Sequence, residues 1–205
     1  VTGLSRTGGL VGSMDAVAAS TLNSNLPVSG STLVGGLAGY LKSDFTTSNP
    51  NVSTNSARGL TASGAVVGTG ISVGGLLGEV TGSATTSIYT LANSSASGAV
   101  SNSGGYVYYM GGLIGTLSGG AAYNNLQSTG AVTQSSNVYT YGYVGGLIGN
   151  VNASTTISNS SSSSPVISSG YYTGGLIGYA NNAALNNSSA AGSVTSTSYY
   201  VGGLV

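Results

Sequence analysis

Residues 143–149 read Tyr-Val-Gly-Gly-Leu-Ile-Gly, and the Gly-Gly-Leu at their centre recurs seven times along the chain. The copies are Gly8-Gly9-Leu10, Gly35-Gly36-Leu37, Gly74-Gly75-Leu76, Gly111-Gly112-Leu113, Gly145-Gly146-Leu147, Gly174-Gly175-Leu176 and Gly202-Gly203-Leu204. The first six continue as an aliphatic residue or Ala and then Gly: Val11-Gly12, Ala38-Gly39, Leu77-Gly78, Ile114-Gly115, Ile148-Gly149 and Ile177-Gly178. Self-similarity at a period of a few tens of residues marks a stack of equivalent units, each burying its apolar side against its neighbours. Residues 1–205 are therefore expected to form one repeat domain, with units starting near 8, 35, 74, 111, 145, 174 and 202.

A second element follows each motif and carries Val behind a small residue or Pro, as in Gly64-Ala65-Val66, Gly98-Ala99-Val100, Gly130-Ala131-Val132 and Gly192-Ser193-Val194, with Pro27-Val28 and Pro165-Val166 as variants. Asn93, Asn125, Asn159 and Asn187 each lie seven residues before that Val, and Leu91, Tyr123, Ile157 and Leu185 each lie two residues before the Asn. Short apolar segments separated by Gly, Ser and Asn read as strands and tight turns. Helix is disfavoured, because a Gly pair in every unit costs about 1 kcal/mol per residue. The expected fold is all-β: a β-solenoid, or β-helix, of roughly triangular section, with about three short strands per coil and about six coils. Intervals between motifs run 27, 39, 37, 34, 29 and 28 residues. Extra residues in the longer intervals are expected to leave as surface loops, one of them over about 40–55 with Lys42, Asp44 and Pro50.

In residues 174–204, Gly-Gly-Leu-Ile-Gly is followed by Asn-Asn-Ser-Ser-Ala-Ala-Gly-Ser-Val and then Tyr-Val-Gly-Gly-Leu. This order resembles the GLUG repeat of bacterial surface proteins and of large secreted adhesin-like or protease-associated proteins, and the resemblance extends over essentially the whole chain. It implies an extracellular β-solenoid and brings no catalytic residue with it. The chain departs from the pattern at Ser95, Ser161 and Ser189, where an aromatic often stands two residues after the Asn, and in its stretched middle units.

Only six residues are charged: Arg6, Asp15, Lys42, Asp44, Arg58 and Glu79, with none after Glu79. A basic patch is missing, so neither nucleic acid nor an anionic membrane surface has an electrostatic footprint to hold. Apolar runs are broken by Gly, Ser, Thr and Asn, so no membrane-spanning helix is expected. Cys is absent, which is compatible with an extracellular setting. The chain opens without Met and inside the repeat pattern, as expected of a processed product or a window on a longer chain. Neutrality also suits stacking, because a charge in the repeated pattern would face its own copy about 4.8 Å above and below.

General acid–base, nucleophilic and metal chemistry draw on His, Cys and clustered carboxylates. His and Cys are absent, and the three carboxylates are scattered. Asp44 and Glu79 could form the carboxylate pair of a glycoside hydrolase, but loop charges are the better reading. The Gly pairs carry no Gly-Lys-Ser/Thr and no calcium-binding nonapeptide Asp, so a tight corner where a Cβ would clash explains them better than phosphate or calcium binding. The chain is accordingly read as a non-enzyme with no cofactor and no metal.

Tyrosine clusters before Gly-Gly-Leu in the last four units, at Tyr106, Tyr108, Tyr109, Tyr141, Tyr143, Tyr172, Tyr199 and Tyr200, with Tyr139 and Tyr171 close by. Stacking would bring these rings to one edge as a stripe, suited to sugar rings, to a neighbouring filament, or to ladder packing within one molecule. Asn-X-Ser/Thr sequons stand at Asn51, Asn93, Asn152, Asn159, Asn186 and Asn187, a number that chance supplies in so Ser- and Asn-rich a chain.

The expected role is a non-enzymatic, extracellular or cell-surface structural repeat: a rigid rod in a surface fibre or adhesin. No polar cap closes either end, so the ends are expected either to continue into further sequence, the favoured alternative, or to stack on another copy into filaments. Self-association or another surface protein is thus the expected partner. The competing expectation is a glycan-binding module on a Tyr- or Ser/Thr-lined face. Ice binding ranks lower, because Thr195-Ser196-Thr197 has no counterparts in the other units.

Overall fold

A computed structural model describes residues 1–15, 19–42, 56–82, 90–119, 122–135, 141–197 and 199–205. Among them every regular element is a strand, and every pairing is parallel. The strands form three stacked sheets, the arrangement of a β-helix. No helix among the described residues is long and apolar enough to cross a membrane.

The first seven-stranded sheet collects the Val element: Val28–Gly30, Val66–Gly68, Val100–Asn102, Val132–Gln134, Val166–Ser168 and Val194–Ser196, with Thr2–Gly3 at its edge. Its register sets Val28, Val66, Val100, Val132, Val166 and Val194 side by side. The second seven-stranded sheet holds the residues leading into each motif, from Arg6–Gly8 through Leu33–Gly35, Ser72–Gly74, Tyr109–Gly111, Tyr143–Gly145 and Tyr172–Gly174 to Tyr200–Gly202. The third sheet has fourteen strands and takes the rest of each unit, as in Ile148–Ser158 and Ile177–Asn186. Parallel stacking of equivalent strands places like residue on like, so the hydrophobic pattern and the corners together fix the register.

Gly-Gly-Leu is the corner between the second and third sheets rather than the middle of a strand. Its first Gly ends one strand, and the residue after Leu begins the next. A Cβ on the first Gly would lie 2.0 Å from the carbonyl oxygen three residues ahead, at Gly35, Gly74, Gly111 and Gly145 alike. On the second Gly it would lie 2.0–2.3 Å from the equivalent carbonyl of the next unit, from Gly9 through Gly175. The Leu turns inward: Leu37, Leu76, Leu113, Leu147 and Leu176 are fully buried in the larger apolar cluster, while the Val ladder forms the smaller one. Each corner also bonds to the next through its backbone, Leu113 N and Ile114 N both donating to Leu147 O at 2.8 and 3.0 Å.

The recurring Asn marks a left-handed backbone position, with φ of 51°, 52°, 50° and 47° at Asn93, Asn125, Asn159 and Asn187. Thr21 and Gly59 hold the same conformation one residue after Ser20 and Arg58, which pair in register with each other and with Ala92. Asn tolerates this region because its short polar side chain bonds locally. Here it also forms a ladder, Asn125 donating to Asn93 at 2.8 Å and Asn187 to Asn159 at 3.5 Å.

Lys42 and Glu79 correct the expectation of loop charges. Arg6, Asp15, Lys42, Arg58 and Glu79 all lie on strands. Of the loop expected over about 40–55, Tyr40–Lys42 close the strand Ala38–Lys42, and 43–55, including Asp44, Pro50 and Asn51, lie outside the described residues.

Candidate functional site

Each strand of the second sheet has three residues, of which the middle one faces the core: Thr7, Val34, Val73, Met110, Val144 and Thr173 are buried. Its first residue builds an outer column of Arg6, Leu33, Ser72, Tyr109, Tyr143, Tyr172 and Tyr200, in register from unit to unit. The third residue after the corner builds a parallel column on the third sheet: Ser13, Tyr40, Glu79, Thr116, Asn150 and Tyr179.

The two columns meet along a seam with an offset of one unit. Arg6 places its guanidinium 4.1 Å from the centre of the Tyr40 ring, Ser72 Oγ donates to Thr116 Oγ1 at 2.9 Å, and Tyr143 stacks on Tyr179 with centroids 5.0 Å apart. The glycine between the columns makes this approach possible. A Cβ on Gly39, Gly78, Gly115, Gly149 or Gly178 would fall 2.5–2.6 Å from a backbone nitrogen of the preceding unit. Three glycines per unit are therefore explained by three separate contacts, all of them with backbone.

Toward the C-terminal units the seam becomes an aromatic array. Tyr109, Tyr143, Tyr172 and Tyr200 form the inner ladder, with ring centroids 5.4, 5.1 and 4.8 Å apart. Tyr179 wedges against Tyr143 and Tyr172. Tyr171 joins an outer tier to this ladder, touching Tyr141, Tyr172, Tyr199 and Tyr200. Tyr108 contacts Tyr109, and Tyr106 is exposed and touches no other ring among the described residues. Of the tyrosines in the expected stripe, the structure thus brings together all but Tyr106, and Tyr139 lies outside the described residues. Much of the inner ladder's ring surface faces other rings. Tyr141, Tyr199 and Tyr200 remain more than half exposed, and a cleft of about 440 Å³ lies between Tyr172, Tyr179, Tyr199, Tyr200, Val201 and Val205.

Burial and neighbouring phenols push the Tyr143 hydroxyl above the ordinary phenol range, burial being the larger cause. At the other end of the seam, burial raises the Glu79 carboxyl, and the Arg6 charge offsets part of that rise. No second carboxyl is found to pair with Glu79 among the described residues, and Asp44 lies outside them. Among the described residues no group of His, Cys, Asp or Glu is arranged to hold a metal ion. The seam offers, among the described residues, ring stacking, phenol hydrogen bonds and a cation–π pair between Arg6 and Tyr40.

Sequence reasoning named the stripe but left out Tyr179 and Tyr40, which sit five residues after Gly174 and Gly35 in the slot that Glu79 fills after Gly74. Counting forward from each motif would have aligned them. Of the sequon asparagines, Asn93, Asn159 and Asn187 occupy the exposed left-handed ladder. No family model, no curated protein and no solved structure matches the chain.

Proposed function

We propose that the chain is a non-enzymatic structural rod, a segment of an extracellular surface fibre or adhesin of the GLUG-repeat kind. In this reading each unit winds once around a β-solenoid. It gives one strand to each seven-stranded sheet and a longer run, sometimes split in two, to the third, so that a coil has three sides and the units make about six coils. The mechanism is mechanical: parallel hydrogen bonds and apolar ladders run along the axis, and stretching the rod would have to break them together.

The observation that carries this reading is the repetition of one contact from corner to corner. Every second Gly from Gly9 to Gly175 faces the carbonyl of the next unit, and Gly203 faces open space where such a carbonyl would sit. Leu10 and Leu204, at the two outer corners, are about half exposed although their equivalents are fully buried. Such surfaces fit a further coil, supplied by continuing chain or by another copy. Electron microscopy of the purified material, with its intact mass, separates the two: filaments of chains of about 205 residues mean end-to-end stacking, and isolated rods or a much larger chain mass exclude it. Globular particles without axial order would overturn the rod.

A second reading, glycan binding, is favoured by the cleft beside Tyr199 and Tyr200, whose exposed rings could stack on sugar. Ice binding fits less well. The row that would present it, Ser29, Val67, Ser101, Thr133, Ile167 and Thr195, interrupts hydroxyls with hydrocarbon.

A further inference from the structure

The tyrosine array is a built site for oxidative cross-linking. We propose that a peroxidase-class oxidant couples Tyr171 to Tyr199, and Tyr141 to Tyr171, as dityrosine within one chain, stapling successive units. This stands apart from the rod reading, because it needs only the ring geometry.

The composition sends oxidation to these rings. The chain has no Cys, His or Trp, and its two methionines, Met14 and Met110, are buried. Tyr is therefore the oxidisable side chain that meets solvent, and exposure governs which side chains an external oxidant reaches. Among the described tyrosines, Tyr123 is buried with its hydroxyl bonded to Gly119 O, and Tyr40 lies under Arg6, apart from the array. The remaining rings other than Tyr106 form one continuous set of contacts, so a radical formed on any of them has a phenol neighbour.

Exposure selects the outer tier, since inner pairs such as Tyr109–Tyr143, at 5.4 Å and 33°, are as close and as tilted, whereas Tyr141 and Tyr199 are the most exposed rings of the array. Tyr171 and Tyr199 have centroids 5.5 Å apart with planes tilted by 46°, and Tyr141 and Tyr171 are 6.0 Å apart at 32°. Tyr199 is 80% exposed and can swing a ring edge toward its partner. In the inner ladder Tyr172 and Tyr200 lie face to face at 10°, an arrangement that opposes the edge-to-edge approach that a bond between ortho carbons requires. In the reaction each phenol loses its O–H hydrogen atom, and the two tyrosyl radicals join through ortho carbons. The two ring hydrogens at the new bond then move to the oxygens, restoring both aromatic rings. One hydrogen peroxide takes the two hydrogen atoms and leaves as two waters.

The test treats the dilute, folded chain with a haem peroxidase and limiting hydrogen peroxide, and reads dityrosine fluorescence, intact mass and a peptide map. The expected product is a single chain lighter by two hydrogens per link, with the links mapped to Tyr171–Tyr199 and Tyr141–Tyr171. Tyr171→Phe should lose most of the fluorescence with an unchanged circular dichroism spectrum, whereas Tyr40→Phe should keep it. Should Tyr171→Phe not fold, Tyr199→Phe should lose the Tyr171–Tyr199 link alone. Links found only between chains, links mapped to Tyr40 or Tyr106, or equal yield from the urea-unfolded chain would overturn the proposal.

Discussion

The corner Gly145-Gly146-Leu147 and the corner Gly202-Gly203-Leu204 have the same sequence and the same pairing partner, the corner at 174–176, yet they differ in what they bury. Leu147 is fully buried and Leu204 is 40% exposed. A Cβ on Gly146 would strike Gly175 O at 2.1 Å, and one on Gly203 would meet nothing within 4 Å. Side-chain identity is constant, so the difference comes from the following neighbour, which the corner at 174–176 supplies to Gly146 and which Gly203 lacks here. Position in the stack, more than residue type, sets the energetic worth of each residue, as nearest-neighbour models of repeat proteins require.

The sharpest way to break this comparison is a methyl group at each corner. Gly146→Ala should destabilise the chain by at least about 3 kcal/mol, because the obstacle is backbone carbonyl that cannot rotate away. Gly203→Ala should stay within about 0.5 kcal/mol, as a surface change does. Denaturant midpoints decide it, and equal losses would mean that the outer corner is covered in solution. Next in size is the leucine: Leu147→Ala should cost about 3 kcal/mol through transfer and cavity terms. Leu204→Ala should cost about 1 kcal/mol, since much of its surface already meets water.

The corner was legible because it recurs with its neighbours at fixed short spacing, and glycine is the residue that permits backbone to approach backbone. The all-β class and the stacking of equivalent units followed from it. The strand columns were less legible. Close to the corner a count from the motif aligns Tyr40, Glu79 and Tyr179, but farther out intervals of 27 to 39 residues hide which residue of one unit lies beside which of the next. The recurring position was visible where it held Asn and hidden where it held Thr21 or Gly59, because the requirement, a left-handed φ, is on the backbone rather than on residue type. Lys42 and Glu79 were misplaced on loops for a related reason: stacking penalises a charge facing its own copy, and a single charge in one unit escapes that penalty. Arg6 stands in a column where Tyr, Ser and Leu fill the other units.

The aromatic ladder offers a milder comparison of interior and edge. Tyr143 touches Tyr109, Tyr172 and Tyr179, whereas Tyr200 touches Tyr171 and Tyr172. With each pair worth about 0.5–1.5 kcal/mol, Tyr143→Ala should cost about 2 kcal/mol and Tyr200→Ala about 1 kcal/mol. Alkali should sharpen the contrast. Folding raises the Tyr143 pKa, so the stability tied to its neutral form is intact below the ordinary phenol value and lost as pH rises through the raised one. Absorbance of the phenolate, followed in wild type and Tyr143→Phe, should show a late-titrating component that is smaller by one phenol in the variant, Tyr171 being raised as well.

The smallest expected effect concerns Glu79, an acid set between Tyr40 and Thr116 inside the stack. Because burial raises its pKa, the folded chain binds this proton more tightly than the unfolded chain does. Stability is therefore highest below the ordinary glutamate range and falls as pH climbs through the raised value, the reverse of a salt-bridged carboxylate. Arg6 opposes the shift without cancelling it, since burial is the larger cause. Glu79→Gln should flatten this acid-side slope and gain less than about 1 kcal/mol at neutral pH, because the group keeps solvent contact that screens it. Ser13 occupies the same slot on the exposed first strand of the sheet. Moving the acid there, as Ser13→Glu with Glu79→Gln, should leave the profile flat, because the stack that desolvates Glu79 covers Ser13 on one side only. A slope that followed the acid to position 13 would show that the carboxyl itself, and not its place in the stack, sets the dependence.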